Sequence, residues 1–168
     1  MSSGTTISNW PRLLGVARSL LHQVNSAGSV VENWSLGGGT ALMLRIDHRE
    51  SRDIDIFLSD AQHLAFLDPA KRDFRFEVAP SGELSDGSRF LKLAFSGLGE
   101  IDFIVAEALT TSPETSEMIE SETLSLETVP EIIAKKIYHR GFAIKPRCET
   151  TMRTALARTK EVLRAVMS

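Results

Sequence analysis

The segment Asp53-Ile54-Asp55-Ile56-Phe57-Leu58 alternates between polar and apolar residues at its start. That period belongs to a strand, in which successive side chains point to opposite faces. Asp53 and Asp55 therefore share one face, while Ile54 and Ile56 point the other way, toward a core. Two carboxylates side by side repel each other, and a fold tolerates them where the face is solvated or where a cation lies between them. Asp102 repeats the pattern between Ile101 and Phe103 in an otherwise apolar run. Two readings follow. Either three Asp residues face solvent on an amphipathic sheet, or three strand carboxylates converge into an oxygen-rich site for a hard divalent cation.

The glycines bear on that choice. Gly37-Gly38-Gly39-Thr40 separates a short apolar run, Trp34 to Leu36, from Thr40-Ala41-Leu42-Met43-Leu44-Arg45. The first reads as a strand and the second as a short helix. Backbone amides at a helix N-terminus bind phosphate, glycine permits close approach, and Thr40 adds a hydroxyl. No lysine follows at the spacing of a Walker A loop. A glycine triplet is by itself often only a turn; ahead of an Asp-x-Asp strand it points to Mg²⁺–nucleotide chemistry.

Apolar residues at helical spacing predict a first helix from Asn9 and Pro11 to Gly28. Ala61 to Leu67 reads as a helical turn. Alternation predicts strands at 74–78, 90–95 and 100–105, with Gly97 and Gly99 making the last two an antiparallel hairpin. Residues 107–127 hold six acidic residues and no basic ones, and read as a loop with a short strand at 123–126. Thr128, Pro130 and Glu131 mark a capped helix running to about Arg140. Pro146 separates it from a final helix, roughly Glu149 to Val166. The predicted fold class is α/β (α+β): a mixed, largely antiparallel sheet flanked by helices, with residues 1–127 as the core and 128–168 as a helical extension packed on it.

Charge and cysteine narrow the function classes. The net charge of −3 conceals an acidic body and a basic tail, since residues 130–168 hold nine Lys and Arg against three Glu. Lys145, Arg147, Arg153, Arg158, Lys160 and Arg164 read either as a track for RNA or as the solvated face of an amphipathic helix. The single cysteine, Cys148, excludes an intrachain disulfide and a multi-thiolate zinc site. It fits a reducing cytosol, so the expected location is cytoplasmic. No run approaches the ~20 apolar residues of a membrane helix, and no secretory signal opens the chain. His22, His48, His63 and His139 have no metal-binding spacing.

Gly38-Gly39-Thr40-Ala41-Leu42, His48-Arg49, Ser51 and Asp53-Ile54-Asp55-Ile56-Phe57 together resemble the AbiEii/AbiGii toxin family of DNA polymerase beta-like nucleotidyltransferases. The likeness is dense over 36–58 and looser through Asp102 and Glu131-Ile132-Ile133-Ala134-Lys135-Lys136-Ile137. It implies a polymerase beta-like core and an enzyme moving a nucleoside monophosphate from an NTP to a hydroxyl of an RNA such as tRNA, or of a protein. It further implies a toxin with a cognate antitoxin. By the same resemblance Asp53, Asp55 and Asp102 bind Mg²⁺ or Mn²⁺ and carry catalysis, with Asp102 helping to deprotonate the attacking hydroxyl. Gly38, Gly39, Thr40, Arg49, Ser51 and Lys136 contact the nucleotide, with Lys135 one residue out of register. Relatives commonly continue with an Arg-Asp pair; here Arg147 is followed by Cys148, and the chain ends about twenty residues on. The alternative is thus a catalytically decayed relative kept for nucleotide or partner binding. A metal-dependent phosphohydrolase is a third reading, without the His ligands many such sites use.

Overall fold

The computed structural model describes residues 8–28, 31–47, 49–140 and 157. His48, the residues after Arg140 up to Pro146-Arg147-Cys148, and the expected last helix with its basic residues, Ala157 excepted, lie outside the described residues.

The elements are α1 (Trp10–Ser26), β1 (Trp34–Gly37), α2 (Gly38–Ile46), β2 (Ile54–Leu58), α3 (Gln62–Leu67), β3 (Gly82–Ser85), β4 (Phe90–Phe95), β5 (Gly99–Val105), β6 (Glu114–Ile119), β7 (Glu122–Glu127) and α4 (Val129–Arg140). The strands form one sheet in the order β3-β4-β5-β2-β1-β7-β6. Only β2–β5 and β1–β7 pair in parallel, so the sheet is mixed and largely antiparallel.

Alternation sorts the sheet into two faces. Ile54, Ile56, Leu58, Leu91, Leu93, Phe95, Ile101 and Phe103 are buried on one of them. The apolar stripe of α1, including Leu13, Leu14, Ala17, Leu20 and Leu21, joins them in a single core. Burying side chains of this size is the main stabilising term, about 1.5–3 kcal/mol for each. The opposite face carries Asp55, Asp102 and Lys92, and α4 packs against α2.

Three local expectations are corrected. Residues 74–78 do not form a strand. Their alternation is real, since Phe74, Phe76 and Val78 pack against the core. Their backbone, however, is tied by a side chain: Gln23 accepts from the Arg75 amide and donates to its carbonyl. The acidic stretch read as a loop forms the β6–β7 hairpin, of which only the short strand at 123–126 was legible. Its turn places Glu120 and Ser121 at positive φ, 48° and 67°, the backbone that tight two-residue hairpins require. Arg45 at the end of α2 donates to the carbonyls of Leu126 and Glu127 and to the side chains of Thr115 and Glu117, clamping the hairpin to the core. Finally, Thr128 and Glu131 do not make a capping box. The Thr128 hydroxyl donates to the Ser112 carbonyl, and Glu131 turns to the 109–110 loop.

Candidate active site

Strand register brings the carboxylates together. In the parallel β2–β5 ladder Asp55 lies opposite Asp102. In the β4–β5 hairpin Asp102 lies opposite Lys92, and in β1–β2 Asp55 lies opposite Gly37. One residue beyond the Leu36–Leu126 pair of the β1–β7 ladder comes Glu127. A single transverse row thus runs Lys92, Asp102, Asp55, Gly37, Glu127, with neighbours about 4.8 Å apart along it. Asp53 stands just before β2, its Oδ1 accepting from the Glu100 amide at 3.0 Å. Around this row opens a cleft of about 450 Å³, lined by Gly38, Gly39, Arg49, Ser51, Asp53, Asp55, Asp102, Lys135 and Lys136 among others.

The glycine hinge fits around Asp55. Gly38 sits at φ +62°, and a Cβ there would collide with the Asp55 carboxylate. Glycine at 38 is thus required both by the left-handed backbone and by the carboxylate beside it. The Gly39 amide donates to Asp55. Thr40 does not line the cleft: it is fully buried, and its hydroxyl donates to the Asp53 carbonyl. It ties the start of α2 to the acidic strand. Ser51 stands beside Gly39 and directs its hydroxyl toward the same carbonyl at 3.4 Å.

The electrostatics are those of crowded carboxylates. Burial, then the neighbouring charges of Asp102 and Asp53, push Asp55 up to about 7, against the Gly39 amide and Lys136, which favour its charged form. Asp102 is also raised, chiefly by burial, with Lys92 opposing. Its Oδ1 is buried with no hydrogen-bond partner. Among the described residues no three His, Cys, Asp or Glu side chains are gathered tightly enough to hold an ion as they stand. In donor chemistry Asp53, Asp55 and Asp102 nonetheless fit a hard divalent cation. All are oxygen donors, and their mutual repulsion is what such a charge relieves.

The adjacent lysines of α4 have different surroundings. Lys135 is buried, paired with Glu127 and lying 3.5 Å from Glu131, with its ammonium 4.0 Å from the Phe57 ring centroid. Lys136 faces the cleft on the Asp55 side. Sequence reasoning missed Lys92, Glu100 and Glu127. The first two were recoverable: a turn at 96–98 pairs Phe95 with Gly99 and hence Lys92 with Asp102. Glu127 carried no such signal, because the strand read at 123–126 stopped short of it and its parallel pairing with β1 is long-range.

A family model described as the nucleotidyl transferase AbiEii toxin of type IV toxin–antitoxin systems matches residues 19–147. The chain belongs to this family of nucleotidyl transferase enzymes. No curated protein matches it in sequence. Among solved structures, the solution structure of the antibiotic-resistance factor ANT(2'')-Ia is similar at TM-score 0.53 and 17% identity, over 94% of this chain and 91% of that one. The crystal structure of ANT(2'')-Ia in complex with adenylyl-2''-tobramycin is similar at 0.53 and 18%, over 92% and 96%. These likenesses show the shared mixed α/β fold. No described helix is long and apolar enough to cross a membrane.

Proposed function

We propose that this member of the AbiEii nucleotidyl transferase family moves a nucleoside monophosphate from an NTP to a hydroxyl group of an RNA, tRNA being one such acceptor, or of a protein, and acts as the toxin opposite a cognate antitoxin. The observation that carries the reading is the Asp55–Asp102 register, with Asp53 at the head of the same strand, in a cleft framed by Gly38, Gly39 and Lys136.

Asp53, Asp55 and Asp102 would hold Mg²⁺ or Mn²⁺. When bound, the divalent cation stabilises charge on the attacking oxygen and on the departing pyrophosphate. The hydroxyl oxygen forms a new bond to the α-phosphorus, and the bond from that phosphorus to pyrophosphate breaks, its electron pair leaving with the pyrophosphate. The hydroxyl proton passes to Asp102, whose proton affinity is raised by burial. Lys136 supplies a point cation for the phosphates, and Gly38 and Gly39 let them approach the backbone at the start of α2. Arg49 and Ser51 flank the same opening. Thr40 acts through Asp53, as a tie that positions the acidic strand.

The test is incubation with each α-labelled NTP, Mg²⁺ and separated RNA or protein fractions, with and without EDTA. The expected result is label on one polymer fraction, lost with EDTA. Free phosphate without labelled polymer favours a hydrolase, and nucleotide binding without turnover favours a decayed site; either result overturns the proposal.

A further inference from the structure

We propose that Lys92 is a resident counter-cation of the third carboxylate and competes with a divalent cation for Asp102, so that the site is weak for free metal. This rests on the assignment of Asp53, Asp55 and Asp102 as metal ligands. The β4–β5 hairpin sets Lys92 directly across from Asp102. Glu100, two residues earlier on β5 and thus on the same face, accepts a hydrogen bond from the Lys92 ammonium at 2.8 Å. That bond pins the ammonium where it lies 3.6 Å from Asp102 Oδ1. The Asp102 contact is an ion pair, longer than the bond to Glu100. Glu100 thus anchors the lysine, and Asp102 feels its charge.

The consequence is electrostatic. Without Lys92, Asp102 would face Asp55 across the ladder and Glu100 along its own strand with no positive charge beside it. With Lys92 in place the row is tolerated in the absence of metal. A second cation at Asp102 then meets a fixed positive charge at ion-pair distance, in partly buried surroundings where screening is incomplete. Free Mg²⁺ or Mn²⁺ binds weakly for this reason, and the triphosphate, which brings its own negative charge, offsets the repulsion.

The experiment measures Mn²⁺ binding by electron paramagnetic resonance and calorimetry in wild type, Lys92→Met, Lys92→Gln and the remote control Arg89→Met. In parallel, Mg²⁺ titrations follow the lysine side-chain resonances of wild type and Asp55→Asn by NMR. The expected result is about tenfold tighter Mn²⁺ binding in both neutral Lys92 variants and wild-type binding in Arg89→Met. The Lys92 resonance moves in wild type with the midpoint of the metal site and is still in Asp55→Asn. Unchanged or weaker Mn²⁺ binding in both Lys92 variants, with binding lost in Asp55→Asn, overturns the role of Lys92 alone. Equal Mn²⁺ behaviour of wild type and Asp55→Asn overturns the metal assignment as well.

Discussion

Two carboxylates near the same cleft are shifted in opposite directions. Asp55 is raised to about 7, whereas Glu131 is lowered, although burial opposes the charged form of both. The difference lies in what surrounds them. Glu131 accepts from the amides of Leu109 and Thr110 and from the Thr110 hydroxyl, with Lys135 3.5 Å away. Asp55 has one amide donor and Lys136 on its side, against the charges of Asp102 and Asp53. Glu131 is therefore a structural carboxylate that welds α4 to the 109–110 loop. Asp55 is held in a state that an added cation would relieve, as expected of a functional site.

This contrast is broken most severely by removing charge from the acidic cluster. Asp53→Asn or Asp102→Asn is expected to lower nucleotide transfer by about a thousandfold or more, since either removes an electrostatic contact to the reacting centre. Circular dichroism and urea unfolding should show the fold intact. On the structural side, Lys135→Met leaves Glu127 and Glu131 buried without their cation. It should cost about 3–5 kcal/mol of stability by urea unfolding.

pH separates the two carboxylates further. Glu131, lowered in the folded state, contributes stability that is present above its ordinary value of 4.5 and is lost as pH falls through the lower folded value. Asp55, raised from 3.8 to about 7, acts in the other sense: its favourable contribution is full below about 4 and is lost as pH rises toward 7. Metal-free Asp55→Asn should then unfold at a higher temperature than wild type at pH 8, with the gap closing near pH 4. Each kcal/mol corresponds to about 2–4 °C in a domain of this size. The smallest expected effect is that of Thr40→Val, which removes the tie to the Asp53 carbonyl and costs about 1 kcal/mol in thermal or urea unfolding.

Much of this arrangement was legible in the sequence because short-range patterns encode it. Strand period placed Ile54 and Ile56 in the core and Asp53 and Asp55 on the other side, and the glycine turn gave the β4–β5 hairpin. The β6–β7 hairpin was not legible because β6 is an edge strand whose residues are mostly exposed, so acidic composition hid its alternation. Residues 74–78 misled for the converse reason. Their side chains alternate, but Gln23 supplies the hydrogen bonds of Arg75 that a neighbouring strand would otherwise make. Thr40 and Lys135 carried donors suited to phosphate, yet their orientation depends on tertiary neighbours, the Asp53 carbonyl in one case and Glu127 in the other. Lys92 enters the site through a register that the local glycine turn sets, whereas Glu127 enters through the parallel β1–β7 pairing, a long-range property that no local motif announces.

The central claim is that the Asp53, Asp55 and Asp102 cluster performs nucleotide transfer, and Asp55 is its most perturbed member. The most direct measurement compares wild type with Asp55→Asn in a single-turnover assay with α-labelled NTP, Mg²⁺ and the acceptor fraction, after both are shown to be folded. The account predicts labelled polymer from wild type and a rate at least about a thousandfold lower from Asp55→Asn. Equal labelling by the two folded proteins would contradict it.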